Sequence, residues 1–148
     1  MDAVSFKTEV VLESDARPDH WIVAEPLVWQ DDIFGTIEVP VGLITDLASI
    51  PRFLRNIPLL DPNGKSRRPA VVHDWLYCCH EGARAQADAF LRAALMAEGL
   101  NAFGASLFYF AVHWFGQRPW DQDAVDWATT DFDTPAHFAA WQATHKKV

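Results

Sequence analysis

The sequence predicts an α+β fold, an N-terminal antiparallel β-meander followed by a helical half with an antiparallel helix pair. Before about residue 66, short runs rich in Val, Ile, Trp and Phe alternate with turn residues, the pattern of short strands. After it, apolar residues recur at helical spacing between proline and glycine boundaries. The length of 148 residues fits one domain. Residues 1–66 read as mostly β, 67–116 as helical, and 117–148 as an irregular, partly helical tail.

The first strand is expected over residues 6–12, where Phe6, Thr8, Val10 and Leu12 alternate with their neighbours. Residues 20–24 and 27–29 read as strands around Pro26, which suits a bulge or an edge because it donates no ladder bond. Asp31 and Asp32 suit the tight connection of a hairpin leading into a strand over 34–40. Pro69 fits the first turn of a helix over 69–80, where its missing N–H costs nothing, and Gly82 breaks that helix. A second helix over 84–98 carries Ala87, Phe90, Leu91, Ala94 and Leu95 on one side and stops at Gly99. A third, over 103–115, ends at Gly116 and Pro119. In the tail, Thr134-Pro135 precedes another short helix through Trp141.

Half the residues are hydrophobic and 13% are aromatic, enough for a packed core and contrary to global disorder. The net charge of −8 argues against a dedicated nucleic-acid binder, which needs clustered Lys and Arg to neutralise phosphates. The one basic cluster, Lys65-Ser-Arg-Arg68, reads as a solvated loop. Cys78 and Cys79 are adjacent and make no disulfide framework, so a reduced, cytosolic setting is expected. The start of the chain lacks the basic and apolar runs of a signal peptide. The longest apolar stretch, 102–115, falls short of the roughly 20 residues of a membrane span. It reads as a buried helix, with Trp75, Phe103, Phe108, Phe110, Trp114 and Phe115 as core.

The chemistry concentrates in Ala70-Val-Val-His-Asp-Trp-Leu-Tyr77 and in Ala87-Asp88 on the next helix. His73 and Tyr77 are four apart and share a helix face, whereas Asp74 diverges from His73 by about 100°. Asp88, arriving on an antiparallel neighbour, is in position to reach His73. A carboxylate on one imidazole nitrogen fixes the tautomer and leaves the other to deprotonate water. Asp74, facing elsewhere, offers oxygen to a hard cation. The same residues also fit a core histidine satisfied by Asp88, with Asp74 capping a loop or pairing with Arg84. A second constellation, Thr45-Asp-Leu-Ala-Ser-Ile-Pro-Arg52, reads as a turn in which Asp46 caps Ala48 or Ser49. Its functional reading makes Asp46 a further oxygen donor to the His73 site. Cys78, Cys79 and His80 lack the four spaced ligands of a zinc site. Ser49 and Ser106 have no glycine elbow, and no glycine-rich phosphate loop is present.

Three ordered motifs carry a resemblance. Thr45-Asp-x-Ala-Ser-Ile-Pro-Arg52, Ala70-x-x-His-Asp-x-Leu-Tyr77 and Ala87-Asp88-x-x-Phe-x-x-Ala-Leu-x-x-x-Gly99 look like a family of small proteins encoded by tailed phages and prophages. The likeness spans about residues 35–116 and implies no activity by itself. It implies residence in the host cytoplasm or the phage virion, with other phage proteins as partners. The shorter pattern His73-Asp74-x-x-Tyr77 followed by Ala87-Asp88 is similar to phospholipase A2, especially the disulfide-free viral kind. That likeness implies His73 as general base, Asp88 as its orienting carboxylate, Tyr77 as support and Asp74 as a calcium ligand, with phospholipid as substrate. The glycine-rich calcium loop of that family is represented here only by Gly42 in Val41-Gly-Leu-Ile-Thr-Asp46. The other reading is a non-enzymatic virion or assembly protein, in which the same cluster holds helices together and Trp120, Trp127 and Trp141 serve an interface.

Overall fold

The computed structural model describes residues 5–14, 21–45 and 65–122. Among them the strands are β1 (Ser5–Phe6), β2 (Leu12–Ser14), β3 (Trp21–Val23), β4 (Leu27–Asp31), β5 (Gly35–Val39) and β6 (Ile44–Thr45). The helices that follow are α1 (Arg67–Cys79), α2 (Arg84–Ala97) and α3 (Ala102–Phe115). The strands form two antiparallel sheets in the orders β1-β4-β5 and β2-β3-β6. This is the expected α+β arrangement, strands first and helices after.

The segment 6–12, expected as one strand, is split between the two sheets as β1 and β2. The cause is Thr8. Its Oγ1 donates to the Pro26 carbonyl (3.1 Å) and accepts from the Val28 N–H (3.0 Å), so a side chain replaces a ladder bond. Pro26 itself lies between β3 and β4, where the chain passes from one sheet to the other. The β4–β5 hairpin turns as the aspartates predict. Asp31 Oδ1 accepts from the N–H groups of Ile33 (3.1 Å) and Phe34 (2.5 Å), and Gly35 follows with φ 72°.

α1 begins two residues before Pro69, which therefore sits in its first turn, and it ends at His80 in a left-handed conformation (φ 51°). α2 opens with the Gln86 side chain accepting from the Ala83 N–H (2.9 Å), and Gly99 (φ 100°) closes it. Asn101 caps α3 by accepting from the Gly104 N–H (2.7 Å). The basic cluster is not simply solvated. Arg68 forms a two-pronged pair with Glu98 (2.7 and 2.9 Å), bonds the Thr8 carbonyl (3.1 Å) and lies over the Phe6 ring. It thereby ties the end of β1 to α1 and to the end of α2.

The core lies where sheet β1-β4-β5 meets the helices. Trp29 meets both Phe6 and Phe90 edge to face, with centroids 5.0 and 5.1 Å apart, and Phe34 meets Phe90 at 5.5 Å. Val71 and Val72 of α1, Phe90 and Leu91 of α2 and Phe108 of α3 are fully buried around them. α3, expected to be buried all round, buries one face only. Gly104, Ala105, Phe108, Ala111 and Val112 are covered, while Phe103, Phe110, Trp114 and Phe115 are exposed. Among the described residues its main partner is α2, which covers that one face. No helix of the described residues is long and apolar enough to cross a membrane.

Candidate functional site

α1 and α2 pack side by side and bring the two halves of the chemistry together. His73 and Tyr77, one turn apart on α1, both face Asp88 on α2. His73 Nε2 lies 2.8 Å from Asp88 Oδ1, and the Tyr77 hydroxyl donates to the same oxygen at 2.6 Å. The His73 and Tyr77 rings are 4.2 Å apart between centroids. His73, Tyr77 and Asp88 are fully buried. The expected placement of His73, Tyr77 and Asp88 is therefore what the fold delivers.

The acceptor arrangement fixes the tautomer. A carboxylate has no proton to give, so Nε2 carries the imidazole hydrogen and Nδ1 keeps its lone pair. Nδ1 is buried and has no hydrogen-bond partner among the described residues. Burial holds the His73 pKa below its ordinary value of 6.5, and the nearby Arg84 charge pushes the same way, against the pull of Asp88. The ring is accordingly neutral near pH 7, with a free basic nitrogen. Burial and the Asp88 contact both raise the Tyr77 pKa, so its hydroxyl remains a donor.

Asp74 points away from this cluster, as its position on the helix requires. Its Oδ2 accepts a short hydrogen bond from Thr45 Oγ1, tying α1 to β6, and the residue is buried. It does not pair with Arg84, the partner considered for it from the sequence. Arg84 reaches Asp88 Oδ2 (3.4 Å) and donates to the carbonyls of Val112 and His113 at the end of α3 (both 3.1 Å). A cation at a helix C-terminus is favoured by the helix dipole, and here it is shared with a buried carboxylate. The sequence carried one signal of this role: Arg84 precedes Asp88 by four residues on one helix.

Two further residues close the site. Gly116 follows α3, and a methyl added there would collide with the Tyr77 hydroxyl and the Val112 carbonyl. Trp120 meets the Tyr77 ring edge-on at 5.1 Å and stacks flat on His80 at 3.7 Å. The His80 Nε2 also lies 2.9 Å from the Trp120 carbonyl. Trp120 thus packs on the polar cluster. Asp46, read as a second metal ligand, lies outside the described residues, as do residues 48–52 of its motif and the tail beyond Gln122, with Trp127 and Trp141. Cys78 and Cys79 form no disulfide among the described residues, and both are half-buried.

Comparison with known proteins gives one relationship. No curated protein and no solved structure matches the chain. A family model described as "Protein of unknown function (DUF1353)" matches residues 21–112, which is more than half of the chain and includes His73, Asp74, Tyr77, Arg84 and Asp88. The chain therefore belongs to the DUF1353 family.

Proposed function

We propose that this chain is a phage- or prophage-encoded hydrolase whose His73–Asp88 dyad activates water against an ester bond of a lipid. The observation that carries the reading is Nδ1 of His73, a buried basic nitrogen with no hydrogen-bond partner among the described residues, on a ring held by Asp88. Buried polar atoms are nearly always paired, so an unpaired one calls for a reason, and general-base chemistry supplies one. In this reading Nδ1 takes the proton of a water whose oxygen attacks the ester carbonyl. Asp88 stabilises the resulting imidazolium, and Tyr77 and Arg84 hold Asp88 in place. The proton then passes to the departing alkoxide. The resemblances to phage proteins and to phospholipase A2 support the source and the substrate class.

Calcium enters through Asp74 alone among the described residues. That cation takes six to eight oxygens, whereas Asp74 Oδ2 is already engaged by Thr45, and among the described residues no group of three or more His, Cys, Asp or Glu is gathered. Those residues do not by themselves fit a calcium shell, and no step is routed through one. A second reading has its own observation. The full burial of His73, Tyr77 and Asp88 favours a virion or assembly protein in which the cluster is architecture.

The test is hydrolysis of mixed bacterial phospholipid vesicles by the purified protein, with calcium and with chelator, beside His73→Ala. Turnover lost in a folded His73→Ala variant supports the hydrolase, and its dependence on calcium decides the role of Asp74. No turnover from well-folded protein in either condition overturns it in favour of the assembly reading.

A further inference from the structure

Away from the dyad, a cavity of about 470 Å³ lies between β5 and the α1–α2 corner. One wall is the strand itself, at Thr36, Ile37 and Glu38, and the other includes Trp75 and Leu76. Among the described residues β5 is an edge strand of its sheet. The register shows which of its backbone groups are spare. Val28 of β4 gives its N–H to Thr8 Oγ1 and its carbonyl to the Lys7 N–H, both on the β1 side. In an antiparallel pair the bonds alternate, so Val28 and its partner Glu38 form a non-bonded pair, as do Gln30 and Thr36. The N–H and carbonyl groups of Thr36 and Glu38 therefore point outward, along the edge that lines the cavity.

Among the described residues one charge, Glu38, guards this edge. Gly35–Val39 contains no lysine or proline, and three of its five residues are β-branched. Ile33, which also lines the cavity, is 85% exposed. Glu38 and Glu81 also line the cavity, no basic residue does among those described, and neither carboxylate takes part in an ion pair among the described residues.

We propose that this groove binds an extended basic–apolar peptide segment of another protein, added as a further strand on β5. Side chains on the Ile37 side of the enlarged sheet would meet Trp75 and Leu76, and alternate ones would lie beside Glu38. That alternation selects apolar residues on one side and Lys or Arg on the other. A second copy of this chain is disfavoured, because pairing β5 with itself gathers Glu38 side chains on one face.

The probe is an end-capped nine-residue peptide alternating Val and Lys, added to the full chain, with amide exchange followed at Thr36 and Glu38. Binding should slow both amides, and a Val–Glu peptide should bind about tenfold more weakly, the effect of two lost exposed ion pairs. Glu38→Gln should weaken binding about threefold, the size of one such pair. Glu38→Pro, which removes an outward N–H without touching the β4 ladder, should abolish it while the thermal transition is kept. Failure of the Val–Lys peptide to bind, equal binding of both peptides, or unchanged binding to folded Glu38→Pro would overturn the proposal. So would amides of Thr36 and Glu38 already protected in the free protein, since the chain would then cover its own edge.

Discussion

Gly116 is packed so closely on Tyr77 that the hydroxyl of the tyrosine occupies the space a side chain at 116 would need. The backbone there is ordinary (φ −85°), so the glycine is required for room and not for conformation. The end of α3 and the buried acid of α2 are thus joined through a tyrosine on α1.

Gly116→Ala should destabilise the fold by about 1–3 kcal/mol, the usual cost of forcing extra volume into a packed site. Adding Tyr77→Phe removes the hydroxyl and should relieve part of that cost. Urea unfolding of both single variants and the double variant measures the coupling, and strict additivity would sink the argument.

Tyr77→Phe alone leaves the fully buried Asp88 with one donor fewer. A cost of about 1–3 kcal/mol is expected for a buried group deprived of a partner. A denaturation midpoint indistinguishable from that of the parent would show that the hydroxyl contributes nothing.

Stability should fall in mild acid. His73 has a lowered pKa in the folded protein, so between that value and 6.5 the unfolded chain binds a proton that the folded one refuses. Stability rises with pH wherever the unfolded state binds more protons. The contribution is therefore fully present above 6.5 and is lost as pH drops through the folded value. Urea titrations across that range should show the loss in the parent and a flatter profile in His73→Gln.

Arg84→Met should raise the His73 pKa, because the Arg84 charge is one of the influences that lower it. The same change strips two α3 carbonyls of their donor. It should cost about 2–3 kcal/mol, at the scale of hydrogen bonds from a charged group. Imidazole NMR titration checks the first effect and chemical denaturation the second. An unmoved His73 resonance profile would show that Arg84 acts on the scaffold alone.

Local chemistry made much of this legible in the sequence. Pro69 and Gly99 punctuate the helices, Asp31 makes the hairpin turn, and four-residue spacing aligns His73 with Tyr77. What stayed hidden depends on distant partners. Thr8 breaks a strand only because Pro26 and Val28 lie beside it. α3 is apolar on every side, so its sequence carries no sign of which face packs. The bond from Arg84 to the α3 carbonyls spans 28 and 29 residues, beyond any local pattern.

The grip of Arg84 on Val112 and His113 bears on how the protein is handled at the bench. The family match stops at residue 112, whereas the groups that complete the cluster lie at 112, 113, 116 and 120. A chain trimmed at the family boundary would keep His73, Tyr77 and Asp88 yet lose the carbonyl anchor at His113, the close packing at Gly116 and the Trp120 cover. An inactive or unstable fragment of that length would report on a faulty cut site, so expression boundaries belong beyond Trp120.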